Sequence, residues 1–333
     1  MQSIKGIIAV ALVLVSMVGM FSCKSDKSTK ASSTGSPKEI IIVAENNLWK
    51  SSLGDSITAY FSSSRLGLPQ PEPLFNIVQI NLEEFNRLFE THRNILAISI
   101  DSTIANANVE MAYNVWAAPQ RVVKITAPTI EMLKEAFMSR QKDIFNLYEN
   151  AEIERLQTLY SKSMNIKAVE AIRAKFNLNM NIPADYYVAI NKDNFIWLRR
   201  EANILSQGIL IYSYPYTDTV AFNPRKILSV RNQFTNLYVP GPSDSSFMIV
   251  ADKDVTPVTR ILDLKKELAV ETRGLWEVHN DFMGGPFVNY TLVDKKNNMV
   301  LALDGYVYAP NKDKADLLKQ VQSILLSFDF IEK

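Results

Sequence analysis

The chain has one cysteine, Cys23, and two histidines, His92 and His279, in 333 residues. A lone cysteine cannot close a disulfide within the chain, so the fold must be held by its core, which is feasible at this length. With two histidines, a zinc site needs both to meet in space with carboxylates, and neither H-E-x-x-H nor a paired-cysteine spacing occurs. A Walker-type glycine loop and a G-x-S-x-G nucleophile elbow are also missing. Asp252-Lys253-Asp254 offers two carboxylates with no further acidic ligands nearby and reads as a solvated turn. No metal and no cofactor are therefore expected. An excess of one charge is absent too: the formal net charge is +1, which gives no electrostatic reason to expect a nucleic-acid partner. The first apolar run, residues 6–21, falls short of the roughly 20 residues that span a bilayer and is interrupted by Ser16 and Gly19.

What is present at the N-terminus is a secretory signal. Lys5 is the only charge ahead of residues 6–21, and Phe21-Ser22-Cys23 follows directly. A cysteine after that small residue resembles the lipobox of a bacterial lipoprotein, although Met20 and Phe21 depart from the usual pattern. The resemblance implies cleavage before Cys23, diacylation of its sulfur with palmitate-type chains and a third chain on its amino group. Residues 1–22 are thus expected to be a signal peptide, and the membrane is expected to be a partner through Cys23. Residues 24–38 hold no large apolar side chain and predict a flexible tether over 23–38, spanning about 20 Å as a coil. Lys24 stands where inner-membrane retention signals usually carry Asp, and the tether is basic rather than acidic. By resemblance to sorting signals, this implies the periplasmic face of the outer membrane rather than the cell surface.

The body has 47% hydrophobic and 21% charged residues, the composition of an ordinary folded domain. Glu-Ile-Ile-Ile-Val-Ala at 39–44 predicts a buried strand. A helix over 47–61, an extended proline-rich stretch over 68–73, a strand over 74–80, a helix over 82–91 and a strand over 95–100 follow. Two more strands, over 109–116 and 121–125, precede an amphipathic helix running from Pro128 to about Tyr160, then a second helix over 166–176. Strands restart at 186–190 and 195–199 around an Asn-Lys-Asp-Asn turn, and continue over 208–214, 247–251, 268–279, 287–294 and 299–308. Helices over 224–237 and 317–325 complete the pattern. Strands first and a covering helix last, twice over, predict an α/β protein of the α+β type. It has two related halves, 39–182 and 183–333, each a mixed or mainly antiparallel sheet covered by helices.

Leu68-Pro69-Gln70-Pro71-Glu72-Pro73-Leu74-Phe75 and the segment from Thr272 to Tyr290 resemble a Bacteroidota lipoprotein family, domain of unknown function 4837. The resemblance implies phylum and location but no activity, cofactor or site. The closing strand-strand-helix, ending in Ser327-Phe328, resembles in layout the PsbP-like and Mog1-like α/β sandwiches.

One segment has the composition of a recognition site. Arg273, Trp276, His279, Asn280 and Asp281 lead into Gly284-Gly285-Pro286 at a strand-to-strand connection. Arg and Trp often dominate binding, and Gly284-Gly285 permits unusual backbone angles and close approach. A structural turn with Trp276 in the core accounts for the same residues. The expectation is a non-enzymatic binding or interaction module with a protein or envelope-component partner. An envelope hydrolase or transferase using a carboxylate pair is the alternative, because such sites leave little trace in a sequence.

Overall fold

The computed structural model describes residues 30–253 and 255–331. The signal segment, Cys23, the tether up to Thr29, and Asp254 lie outside the described residues. The fold is α+β, with two large sheets and two two-stranded ones among the described residues. Isoleucine-rich Glu39–Val43 forms the inner strand that its sequence predicts, with parallel neighbours on both sides, Asn76–Ile80 and Asn94–Ile100. Arg121–Ala127 extends the sheet in parallel and Asn108–Tyr113 closes it antiparallel, giving a mixed five-stranded sheet. Ser52–Phe61, capped by the Ser51 hydroxyl, and the 31-residue helix Ile130–Tyr160, capped by Thr129, cover one face. There Ile40, Ile42, Phe61, Phe137, Ile144 and Tyr148 interlock as one core.

The second sheet is antiparallel throughout. Its strands run in the order Phe247–Ala251, Glu267–His279, Gly284–Asp294, Met299–Tyr308, Leu205–Pro215, Phe195–Ala202 and Tyr187–Lys192. Val258–Leu264, not anticipated from the sequence, pairs with the first half of Glu267–His279. Val258 and Ile261 are exposed and fall on opposite faces, which hides the alternation that half-buries Leu262 and Leu264. The closing helix Ala315–Leu325 and helix Ile166–Phe176 cover one face, and helix Pro224–Tyr238 covers the other.

Five expectations differ from the structure. The helix expected over 47–61 is broken at Lys50-Ser51 into Asn46–Trp49 and Ser52–Phe61, because Ser51 caps a new start. Residues 31–38 are not a free tether: Ala31–Ser32 pairs with Ala117–Ala118, and buried Lys38 reaches Asp316 at 3.1 Å. Backbone hydrogen bonds, not apolar burial, hold this polar segment down. Residues 82–91 form two separate turns, Leu82–Glu84 and Arg87–Glu90, because Asn81 and Asn86 each cap their own start. Helix Ile166–Phe176, assigned to the first half, contributes Ala168, Val169 and Ile172 to the second core. Finally, one sheet is mostly parallel and the other antiparallel, so the halves do not repeat one topology.

The halves lock together through the proline stretch. Leu68 enters the second core, and the Glu72 carboxylate accepts from the Lys314 and Ala315 amides at 2.7 and 2.8 Å, capping the closing helix. Beside it the buried Glu149 carboxylate binds Arg65 at 3.0 Å and Lys319 at 2.8 Å.

Candidate functional site

Strands Glu267–His279 and Gly284–Asp294 make a hairpin, and its tip, residues 280–283, is where the sequence points. Asn280 takes the left-handed backbone, φ 64°, that the turn requires. The Asp281 carboxylate accepts from the Phe282 amide and from the Ser243 hydroxyl, tying the tip to the neighbouring loop. Phe282 projects fully into solvent. His279 lies beside Phe247 on the adjoining strand, with ring centroids 5.1 Å apart. Gly284 and Gly285 do not have the positive φ that the pair allows. Gly285 is needed for close approach by its own sheet: a Cβ there would lie 2.0 Å from the Val307 carbonyl oxygen.

Arg273 and Trp276 do not act together. Three residues apart on one strand, they face opposite sides of the sheet. Arg273 is buried against Gly67, just ahead of the proline stretch, and its guanidinium makes a two-pronged bond to Glu271 at 2.9 and 3.2 Å. Arg260 and the Tyr290 hydroxyl reach the same carboxylate at 2.7 and 2.8 Å. Burial alone would raise the Glu271 carboxyl; Arg273 and then Arg260 outweigh it and bring the pKa down to about 2. Arg273 therefore belongs to the scaffold, and the anchor role read for it from the sequence is not what its burial serves.

On the other face, Trp276 forms part of a cavity of about 390 Å³ between the sheet and residues 239–242. Trp197, Trp276, Tyr306 and Tyr308 make its floor, while Met248 and Met283 stand at its walls. The Trp197 indole N–H donates to the Tyr306 hydroxyl at 3.1 Å, and that of Trp276 donates to the Val307 carbonyl at 3.2 Å. Both indoles thus have their polar atom satisfied and present only apolar ring surface to the cavity. Tyr306 can lie across strand Leu205–Pro215 because the opposing residue is Gly208, where a Cβ would sit 2.0 Å from the ring. Burial pushes the Tyr306 phenol above its ordinary range, so it stays neutral. At the rim, the Arg199 guanidinium stacks on Trp197 at 4.8 Å and pairs with Glu201 at 2.5 Å, where the Ser206 hydroxyl also donates.

A second buried group supports this face. Arg231 donates to Asp304 at 2.9 and 3.3 Å, lies 4.0 Å over Phe287, and approaches the Met248 sulfur at 3.6 Å. Asn289 donates to the same carboxylate at 3.1 Å. This fixes helix Pro224–Tyr238 against the sheet and positions Met248. Sequence reasoning missed Trp197, Arg199, Tyr306, Tyr308 and Met248. The available signal was the alternation that puts Trp197, Tyr306, Tyr308, Trp276 and Val278 on the same face of neighbouring strands, beside the break at Pro240-Gly241-Pro242.

No aspartate, glutamate or histidine lines the cavity. Of the buried carboxylates among the described residues, Glu149, Glu152, Glu271 and Asp304 each sit against an arginine or lysine, and Glu72 caps a helix. The two histidines lie in different sheets' neighbourhoods; His92 is buried 3.2 Å from Glu39, and that burial lowers its pKa.

Residues 165–327 match a domain of unknown function (DUF4837), and residues 33–161 match a second domain of unknown function (DUF8532). No curated protein matches the chain. Among solved structures, one from Bacteroides thetaiotaomicron is 5% identical with TM-score 0.28, covering 47% of this chain and 46% of its own. The chain thus spans about half the length of that structure. A mutant of the protein Mog1 is 9% identical with TM-score 0.31 over 47% of this chain and 92% of its own. The Saccharomyces cerevisiae Ran-binding protein Mog1p is 8% identical with TM-score 0.31 over 46% and 90%. Likenesses at this level say nothing about what the chain does.

Proposed function

We propose that this is a lipid-anchored protein of the periplasmic face of the outer membrane. It acts as a non-enzymatic binding module, taking an apolar group of an envelope ligand or partner protein into the aromatic cavity. The observation that carries the binding reading is the cavity floor: two tryptophans whose N–H groups are already bonded, leaving ring surface with no competing polar demand. Its volume lies at the small end of the range typical of small-molecule sites, about 300–1,000 Å³. The hydrolase or transferase alternative needs convergent carboxylates free to exchange protons, and among the described residues the buried ones are committed to cations or, at Glu72, to the amides of a helix start. The anchor reading is supported by the sequence alone, through the sole cysteine at the end of a signal-length apolar run.

Binding is tested by titrating the protein with 1-anilinonaphthalene-8-sulfonate and following probe emission and tryptophan quenching. Saturable one-site binding is expected, weakened about tenfold or more by Tyr308→Ala, a loss of one aromatic contact worth about 1.4 kcal/mol. Equal binding by the variant would move the site elsewhere. For the anchor, Cys23→Ser is expected to leave the membrane fraction or to accumulate unprocessed; fractionation identical to wild type would remove the anchor.

A further inference from the structure

We propose that the surface made by Leu82, Leu88, Val115 and Trp116 seats on the lipid interface that carries the anchor. This inference rests on acylation of Cys23. The described chain begins at this surface: the Lys30 ammonium donates to the Asn114 carbonyl and, at 3.2 Å, to the Val115 carbonyl. Immediately afterwards Ala31–Ser32 pairs with Ala117–Ala118. From Cys23 to Lys30 the chain can reach at most about 25 Å even when fully extended. A lipid on Cys23 therefore holds this face within about 25 Å of the bilayer. Such confinement raises the effective concentration of the interface enough for a small apolar patch to be occupied.

The patch itself suits that occupant. Leu88 is 71% and Leu82 55% exposed, and Val115 and Trp116 are exposed as well. Phe85, midway between the two leucines in sequence, meets the Trp116 ring edge-on at 5.6 Å and joins the two loops into one surface. Gln120 makes that surface rigid. Its side-chain oxygen accepts from the Trp116 amide at 3.0 Å, and its side-chain nitrogen donates to the Glu90 carbonyl at 2.6 Å. A tryptophan with an apolar body at the edge of a polar surface matches the headgroup level of a bilayer. Glu83 and Glu84 are exposed between the leucines, but so is Arg87, and Lys30 is exposed at the edge of the patch, so these charges balance and attachment depends on apolar insertion.

The test uses the full acylated chain mixed with vesicles of phosphatidylcholine carrying brominated acyl chains, read by co-flotation and by tryptophan quenching. Trp197 and Trp276 are buried and Trp49 is partly buried, so the quenched component is expected to come from Trp116. Wild type should float and be quenched, and Trp116→Phe should float with the quenched component lost. Leu88→Ser, an exposed position whose change spares the fold, should float with reduced quenching. Flotation without quenching, or quenching that survives Trp116→Phe, overturns the docking and leaves the anchor standing, with solvent or a protein partner on the patch. Failure of the acylated chain to float removes the anchor and this inference with it.

Discussion

Glu271 shows how burial and pairing compete at one residue. Desolvation disfavours its charge, yet two arginines and a tyrosine hydroxyl converge on it, and the carboxylate wins with a folded pKa of about 2. The unfolded value is near 4.5, so the unfolded chain takes up the proton first as the solution is acidified. The stability contributed by this group is complete above about pH 4.5 and drains away as the pH falls toward 2. Glu271→Gln is expected to flatten the acid limb of a urea-stability profile in that window. Arg273→Ala leaves a buried carboxylate short of its main partner and is expected to cost about 3–5 kcal/mol, visible as a lower urea midpoint. A cost under 1 kcal/mol would mean that Arg273 is not structural. The composition of its segment suggested an exposed anchor, but neighbouring residues on a strand alternate faces, and only the three-residue spacing to Trp276 signalled the split.

At the scale of elements, the proline stretch is a brace. Residues 68–73 cannot join a helix, and this stiffness lets Glu72 hold its carboxylate at the start of Ala315–Leu325, where the N-terminal amides lack partners. Lys314, the residue before that helix, supplies no side-chain cap of its own. Glu72→Ala should therefore destabilise the protein by about 1–2 kcal/mol. The loss should appear first as faster amide exchange in the opening turn of the closing helix; unchanged exchange there would show that the cap is dispensable. The strap's role in joining the halves follows from where the second half lies, which no local pattern in residues 68–73 encodes.

For the whole molecule, the Arg65–Glu149–Lys319 cluster decides cooperativity. Burial would raise the Glu149 carboxyl, and Lys319 and Arg65 instead hold it well below the carboxylate range. Arg65 and Glu149 come from the first half and Lys319 from the second, so the charge cluster bridges the halves and couples their unfolding. A single calorimetric transition is expected for the wild type. Glu149→Leu strands Lys319 and Arg65 together and should lower that transition by several kelvin or split it in two. Two resolved transitions in the wild type would show the halves to be independent.

Local patterns determined the elements: the isoleucine run of the first strand, the capped long helix, and the asparagine-bearing turns were legible because period and capping act over a few residues. Composition also settled that the core has no disulfide to lean on. The tertiary structure alone decided which faces meet. The cavity draws on Trp197, Met248, Trp276 and Tyr306, from four strands, and the buried polar contacts span up to 243 positions of sequence. Segment 31–38 has nothing apolar to bury and reads as a tether, yet backbone pairing with Ala117–Ala118 fastens it. Such contacts are set by long-range register and charge pairing, which depend on the whole chain's arrangement and leave no periodic mark in any one stretch.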